Sequence, residues 1–239
     1  MVFEAKLSDG QVLKRIVDSI KDLVTDVNID ATPQGLSLQA MDSSHVALVN
    51  LQLSMDGFEK YRADRPLTLG LSITNLAKVM KLVNANDSIT LKCEDEPTFV
   101  TIVCQNAKQD RTTSFNLNLI TLDSEHLGIP ETSYTSEITM NSNEFAKLCK
   151  ELYSLSETVT FEISSQYVKF AVDGEVGSGS IMIRTSNEEI DENVKAEDAV
   201  TLSFALRYLN LFNKAYSLSN SVKISMAADT PLVVEYEVE

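Results

Sequence analysis

The sequence predicts an α+β fold made of two similar domains, each with helices on one face of curved antiparallel sheets. Two observations lead to this prediction. The 239-residue chain matches itself at a shift of 133 residues, which brings LTL at residues 67–69 onto VTL at residues 200–202. Within each half, segments with apolar residues at helical spacing alternate with strand-like segments. A self-match that keeps its register over this length indicates an internal duplication.

Four helices are predicted, two in each half, at residues 10–24, at residues 74–83, around Phe145 and at residues 206–216. In each of them apolar residues recur every three or four positions, which places them on one helix face. These faces consist of Leu13, Ile16, Val17, Ile20, Leu23 and Val24; Leu76, Ala77, Met80 and Val83; Phe145, Leu148, Cys149 and Leu152; and Leu206 and Leu209.

Strands are predicted between the helices from alternating apolar and polar residues. A Glu-Asp-Glu-Pro turn separates two of them and indicates a hairpin. The predicted strands include residues 36–40, 46–53, 88–93, 99–104, 221–226 and 232–238.

The repeat also predicts the domain boundaries. We expect an N-terminal domain at residues 1–118, a connector at residues 119–134 and a C-terminal domain at residues 135–239. A strand at residues 111–119 would have its repeat counterpart beyond residue 239, so the C-terminal domain is expected to lack its last strand.

The charge of the chain is unevenly distributed. Twenty Lys plus Arg against 35 Asp plus Glu give a formal net charge of −15, and a uniformly acidic surface would repel DNA. The four helical segments, however, hold nine basic and four acidic residues, a net +5 against −20 elsewhere. The nine basic residues are Lys14, Arg15, Lys21, Lys78, Lys81, Lys147, Lys150, Arg207 and Lys214.

Pairs of these basic residues are three or seven positions apart, a spacing that places both side chains on one helix face opposite the apolar stripe. In a single helix such a face would serve solubility. Its recurrence in four repeat units favours a shared function instead. Basic side chains without aromatic base readers suit sequence-independent contact with phosphates.

The sequence argues against an enzyme and against a metal or cofactor site. His45 and His126 are the only histidines, and neighbouring Asp, Ser and His on one strand would point to opposite faces rather than form a catalytic triad. The glycine-rich GEVGSG segment at residues 174–179 precedes a strand-like segment rather than the helix that a phosphate-binding loop needs. The three cysteines have no metal-ligand spacing, and we expect them to be buried thiols in a reducing compartment. No apolar run is long enough for a membrane span, and no membrane partner is expected.

Several longer motifs occur along the chain: LQAMDSSHV at residues 38–46, YR and DR within residues 61–65, LGIP at residues 127–130, FALRYLN at residues 204–210 and PLVVEY at residues 231–236. Together they resemble the eukaryotic sliding clamps of the proliferating cell nuclear antigen family. The resemblance covers residue 1 to about residue 237. The family continues with a further strand and an acidic tail, and residues 164–166 (SSQ) replace the lysine that the family modifies, so no modification site is carried over.

The resemblance implies a duplicated DNA-clamp fold and a ring-forming homotrimer in the nucleus. The ring would surround double-stranded DNA without sequence preference, with the nine basic residues lining its channel. It would act as a polymerase processivity factor and as a docking platform for DNA polymerases, the clamp loader and other replication and repair proteins.

Two further sets of residues follow from the resemblance. A pocket under the connector would accept partner peptides that carry a glutamine with hydrophobic and aromatic anchors. Two edge strands, at residues 111–119 and at Gly177–Arg184, would pair between subunits. The pocket residues are Met41, His45, Val46, Leu48, Leu127, Ile129, Pro130, Tyr134 and Pro231, and the interface residues are Phe115, Leu117, Leu119, Gly177, Gly179 and Ile181.

Two alternatives remain open at the level of the sequence. The chain could be one subunit of a heterotrimeric checkpoint clamp, or a replication adaptor that does not close a ring.

Overall fold

The computed structural model describes residues 1–108, 110–123, 127–128, 133–186, 194–196 and 200–238. The chain divides into two compact units, Met1–Gly128 and Ile129–Glu239, which are described separately.

The described residues of the first unit form two helices and nine strands. Its two sheets are antiparallel, with strand orders β5-β1-β7-β8-β9 and β4-β3-β2-β6. The elements are β1 (Phe3–Leu7), α1 (Gly10–Ile20), β2 (Asp26–Thr32), β3 (Gly35–Met41), β4 (Leu48–Ser54), β5 (Lys60–Ala63), β6 (Leu67–Ser72), α2 (Ile73–Met80), β7 (Ser88–Cys93), β8 (Phe99–Gln105) and β9 (Thr112–Asn118), with a 3-10 turn at Met55–Gly57.

The described residues of the second unit repeat this plan. Its antiparallel sheets have the orders β14-β10-β16-β17 and β13-β12-β11-β15. The elements are β10 (Ser136–Asn141), α3 (Ser142–Tyr153), β11 (Thr158–Ile163), β12 (Tyr167–Gly174), β13 (Gly177–Arg184), β14 (Lys195–Ala196), β15 (Val200–Ala205), α4 (Leu206–Phe212), a 3-10 helix (Asn213–Leu218), β16 (Ser221–Met226) and β17 (Val233–Glu235).

The duplicated α+β fold is confirmed. Helices α1 and α2 pack together in the first unit, as α3 and α4 do in the second. Each unit also has its own hydrophobic core between helices and sheets. The starts of α2 and α4, at Ile73 and Leu206, keep the predicted repeat register. Strand β17 takes the place of β8, and β9 has no counterpart among the described residues.

Three helices are shorter than predicted. Helix α1 ends at Ile20 and α2 at Met80, so Lys21 and Lys81 are the C-caps, and their right-handed helical φ and ψ continue the helical path. Helix α4 ends at Phe212, and Lys214 lies in the following 3-10 helix. The common face of Arg207 and Lys214 stays a prediction, because the last part of their spacing runs through a 3-10 helix with about three residues per turn.

The three cysteines are free thiols buried in the cores. Burial raises the pKa of Cys93 to about 11 and that of Cys149 to about 12, because desolvation disfavours the thiolate. It raises the pKa of Cys104 as well.

We expect the native protein to resist thiol reagents at pH 8 and to react fully once it is denatured, since the thiolate is the reactive form. The same shifts make stability fall as pH rises above about 8.5, where unfolded thiols ionise and folded ones do not. Titration with a chromogenic disulfide with and without guanidinium checks the first expectation, and urea melts between pH 7 and 10 check the second. Fast labelling of the native protein would contradict both.

Candidate nucleic-acid interface and partner-binding surface

The basic residues of the first unit differ in how freely their charges are exposed. Lys14 is half-buried, and its Nζ donates to the carbonyl oxygen of Val83 at 3.4 Å. Arg15 is also half-buried, and its Nε is enclosed without a hydrogen-bond partner. These two side chains are therefore fixed against the body of the unit more than the helical pattern predicted.

The other three basic residues predicted on the helices of this unit, Lys21, Lys78 and Lys81, are exposed. Lys21 forms an ion pair with Asp18 at 2.6 Å, and this hydrogen bond raises the pKa of Lys21. Lys78 donates to the side chain of Asn75 at 3.2 Å. Lys81 forms no ion pair within the part of the chain that the structure describes. Because Asn75 is neutral, its hydrogen bond brings no opposing charge to Lys78.

The basic residues predicted on the helices of the second unit are all exposed. Helix α3 begins with Asn141 as N-cap, whose side chain accepts hydrogen bonds from the backbone N–H groups of Asn143 and Glu144. Lys147 and Lys150 lie one turn apart on its exposed face, and neither forms an ion pair with a described residue. Arg207 on α4 and Lys214 beyond it are exposed as well.

A loop in the first unit is organised by the buried carboxylate of Asp42. Its Oδ1 accepts hydrogen bonds from the backbone N–H groups of Val46 and Ala47, both at 2.8 Å, and its Oδ2 accepts from Ser44 at 3.1 Å. His45 takes the left-handed conformation, with φ of 54°, that this tight loop requires. The loop leaves the side chain of Val46 66% exposed.

Apolar side chains of β3 and β4 flank this loop. Met41 and Leu48 are cross-strand partners on adjoining strands, and their positions in the alternation place both on the face away from the core. Leu48 is exposed, and Leu127 is 41% exposed. The structure thus brings Met41, Leu48 and the Val46 loop to one end of the β3–β4 pair.

For four predicted pocket residues, membership of the pocket stays a prediction. Ile129 and Pro130 lie outside the described residues. Tyr134, whose carbonyl accepts a hydrogen bond from Lys195 at 2.8 Å, and the exposed Pro231 belong to the second unit.

The start of the connector is fastened to the outer face of one sheet. The backbone N–H of Ile120 donates to the carbonyl oxygen of Gly70 on β6 at 2.9 Å. A Cβ on residue 70 would lie 2.0 Å from the Ile120 oxygen, so only glycine permits this approach. The Asn28 side chain on β2 donates to the carbonyl oxygen of Leu122 at 3.4 Å.

The connector is also held further along, by Gln39 on β3. The Gln39 side chain donates to the carbonyl oxygen of Leu127 at 2.9 Å and accepts from its backbone N–H at 2.7 Å. Sequence reasoning missed Gly70, Asn28, Gln39 and Asp42. Only Asp42 carried a local signal, since an Asp that opens a short polar segment commonly accepts from backbone N–H groups just beyond it.

The predicted edge strands are present. Strand β9 is at one end of its sheet order and β13 is at one end of another. Phe115 on β9 is 43% exposed, whereas Leu117 is buried in the core of the first unit and Leu119 packs partly against it. On β13, Gly177 and Gly179 are exposed with open space where a Cβ would stand, and Ile181 is half-buried.

Nothing in the described part of the chain gathers three or more His, Cys, Asp or Glu side chains into a metal-binding group. Among the same residues, no helix is long and apolar enough to cross a membrane.

Comparisons with known proteins agree with this organisation. Residues 2–126 match the family model for the N-terminal domain of proliferating cell nuclear antigen, and residues 128–239 match the model for its C-terminal domain. The proliferating cell nuclear antigen of Chaetomium thermophilum is 45% identical to this chain, over an alignment that covers 98% of this chain and 92% of that protein.

Proposed function

Since the chain belongs to the proliferating cell nuclear antigen family, we propose that its basic helix faces line the channel of a homotrimeric ring around duplex DNA. Family membership makes the chain a DNA sliding clamp and processivity factor, a scaffold that binds polymerases and other proteins rather than an enzyme. The observation that carries the channel proposal is the exposed Lys and Arg set on the helices, within a chain whose formal net charge is −15.

The chemistry of these residues suits a sliding contact. Lys78, Lys81, Lys147, Lys150 and Arg207 are flexible, exposed cations on helices, and such groups attract phosphates without reading bases. Lys21 and Lys214 extend this set, and Lys14 and Arg15 support it from half-buried positions. Direct affinity for DNA is accordingly weak and salt-sensitive, and persistence comes from the closed ring.

The apolar cluster around Met41, Val46, Leu48 and Leu127 serves as the site for partner peptides. Exposed apolar side chains gathered on one face are typical of protein-binding surfaces. The fixed Asp42 loop and the connector give this surface a defined shape. Through it the clamp binds DNA polymerases, the clamp loader and other replication and repair proteins in the nucleus, with His45 of the Asp42 loop as part of the same surface.

The ring closes by pairing of β9 of one subunit with β13 of the next. Two exposed edges are an aggregation hazard unless they are paired, and mutual pairing satisfies both. Around a three-subunit ring this contact is heterologous and repeats three times. Phe115, Leu117, Leu119, Gly177, Gly179 and Ile181 form it, with Phe115 the most exposed large side chain of the set.

The oligomeric state tests this proposal. Light scattering should give the wild-type chain about three times its monomer mass of 26.4 kDa. Phe115→Asp should reduce the mass to that of a monomer, because an unpaired charge would be buried in the subunit contact. Phe99→Asp is the matched control, since Phe99 is similarly exposed at 39% but lies on β8 within the sheet.

Each outcome has a distinct meaning. A wild-type monomer that still binds partner peptides would support the adaptor that forms no ring. A chain that assembles only with different chains would support a heterotrimeric checkpoint clamp, which the family matches do not favour. Equal masses for Phe115→Asp and wild type would remove Phe115 from the contact.

A further inference from the structure

Three of the residues that hold the connector form one row across a sheet. The β2–β6 register pairs Asn28 with Gly70. The β2–β3 register pairs Ile29 with Leu38 and, one step further, places Asn28 beside Gln39. The described connector residues Ile120, Leu122 and Leu127 are therefore held on β6, β2 and β3 in turn, each by the residue of that row.

Gln39 binds the connector with more hydrogen bonds than Gly70 or Asn28 does. Gly70 and Asn28 each provide one hydrogen bond to the start of the connector, at Ile120 and Leu122. Gln39 provides two, and it satisfies both the N–H and the C=O of Leu127. A side-chain amide that pairs with both backbone groups of one residue fixes its orientation as well as its position.

Gln39, which makes both hydrogen bonds to Leu127, lies next to the apolar cluster. Gln39 and Met41 are two positions apart on β3 and therefore face the same side of the sheet. The cross-strand partner of Met41 is Leu48. Fixing the backbone of Leu127 at Gln39 thus places Leu127 over the face of the sheet that carries Met41 and Leu48.

We propose that Gln39 is a positioning residue that orders Leu127 against the peptide-binding surface and thereby sets the affinity for partner peptides. The inference rests on the proposed function of that surface. Ordering the connector before the peptide arrives removes part of the entropy cost of binding. Without Gln39, the peptide must order this part of the connector itself.

The test compares Gln39→Ala with Asn50→Ala in the full chain. Asn50 is the cross-strand partner of Gln39. It is exposed, and its side-chain amide makes no hydrogen bond to the connector in the described part of the chain. The probe is a fluorescently labelled synthetic peptide with a glutamine, an aliphatic anchor and aromatic anchors. Gln39→Ala should weaken its binding about tenfold, as expected for two lost hydrogen bonds, and Asn50→Ala should leave it unchanged.

A second readout reports the ordering itself. In the free protein, hydrogen exchange at the Leu127 amide should be faster in Gln39→Ala and unchanged in Asn50→Ala. Unchanged exchange at Leu127, or wild-type peptide affinity in Gln39→Ala, would overturn the inference.

The inference and the proposed peptide site fail in different ways. Leu48→Asp places a charge in the apolar cluster and should abolish binding of the peptide. If Leu48→Asp weakens binding and Gln39→Ala does not, the peptide site stands and the role of Gln39 is wrong. If the wild-type chain does not bind the peptide at all, both are overturned.

Discussion

Replacing Lys147 and Lys150 together by glutamate shortens the residence of the loaded clamp on closed circular DNA by at least about tenfold. Both side chains are exposed on α3 without an ion-pair partner among the described residues. In a homotrimer each substitution is present three times, so the channel exchanges six positive charges for six negative ones. Each lost phosphate contact should also reduce the salt dependence of binding by a slope of about 0.9.

Matched variants separate position from net charge. Lys108→Glu makes the same charge change as Lys147→Glu, but Lys108 lies in the turn between β8 and β9 rather than on a helix. Residence times of the fluorescent clamp on surface-tethered circles, measured over a range of salt concentrations, provide the comparison. The trimer mass and the peptide affinity of every variant should equal those of wild type. Equal losses in Lys147→Glu and Lys108→Glu would mean that total charge, not the helix face, controls retention.

The helices could be predicted because the spacing of apolar residues that marks a helix is local in the sequence and recurs in both halves of the chain. The apolar stripe of α3, with Phe145, Leu148 and Cys149, is buried as its spacing predicts. Where helices end was less predictable, since the end depends on capping and on tertiary contacts. The change from α4 to a 3-10 helix at Asn213 left no trace in the hydrophobic pattern.

The exposure of the basic residues was predictable only in part. Spacing placed Lys147 and Lys150 correctly on an exposed face. It did not reveal that Lys14 reaches the carbonyl oxygen of Val83, which lies just beyond the end of α2 and 69 residues away along the chain. Contacts between helices depend on how the helices pack, and a one-dimensional pattern does not contain that information.

The attachment of the connector was the least predictable feature. The resemblance gave Leu127 as a pocket residue, but its hydrogen-bond partner Gln39 is 88 residues away along the chain. Gly70 and Asn28 are an ordinary glycine and an ordinary amide in strands until the strand register brings them into one row with Gln39. Register is a property of the folded sheet, so this row could be found only in the structure.

In the proposed ring, the protein stays on DNA because the closed ring surrounds it. The rate of dissociation from DNA of different topology tests this. Clamp is loaded by the clamp loader onto nicked circular DNA, the loader is removed, and half of the sample is cut once by a restriction enzyme. Because the helix charges contact phosphates only weakly, a ring should persist on intact circles and slide off the cut ends within minutes. Blocking both ends with bound protein should restore retention. Equal dissociation from intact, cut and end-blocked DNA would contradict the ring.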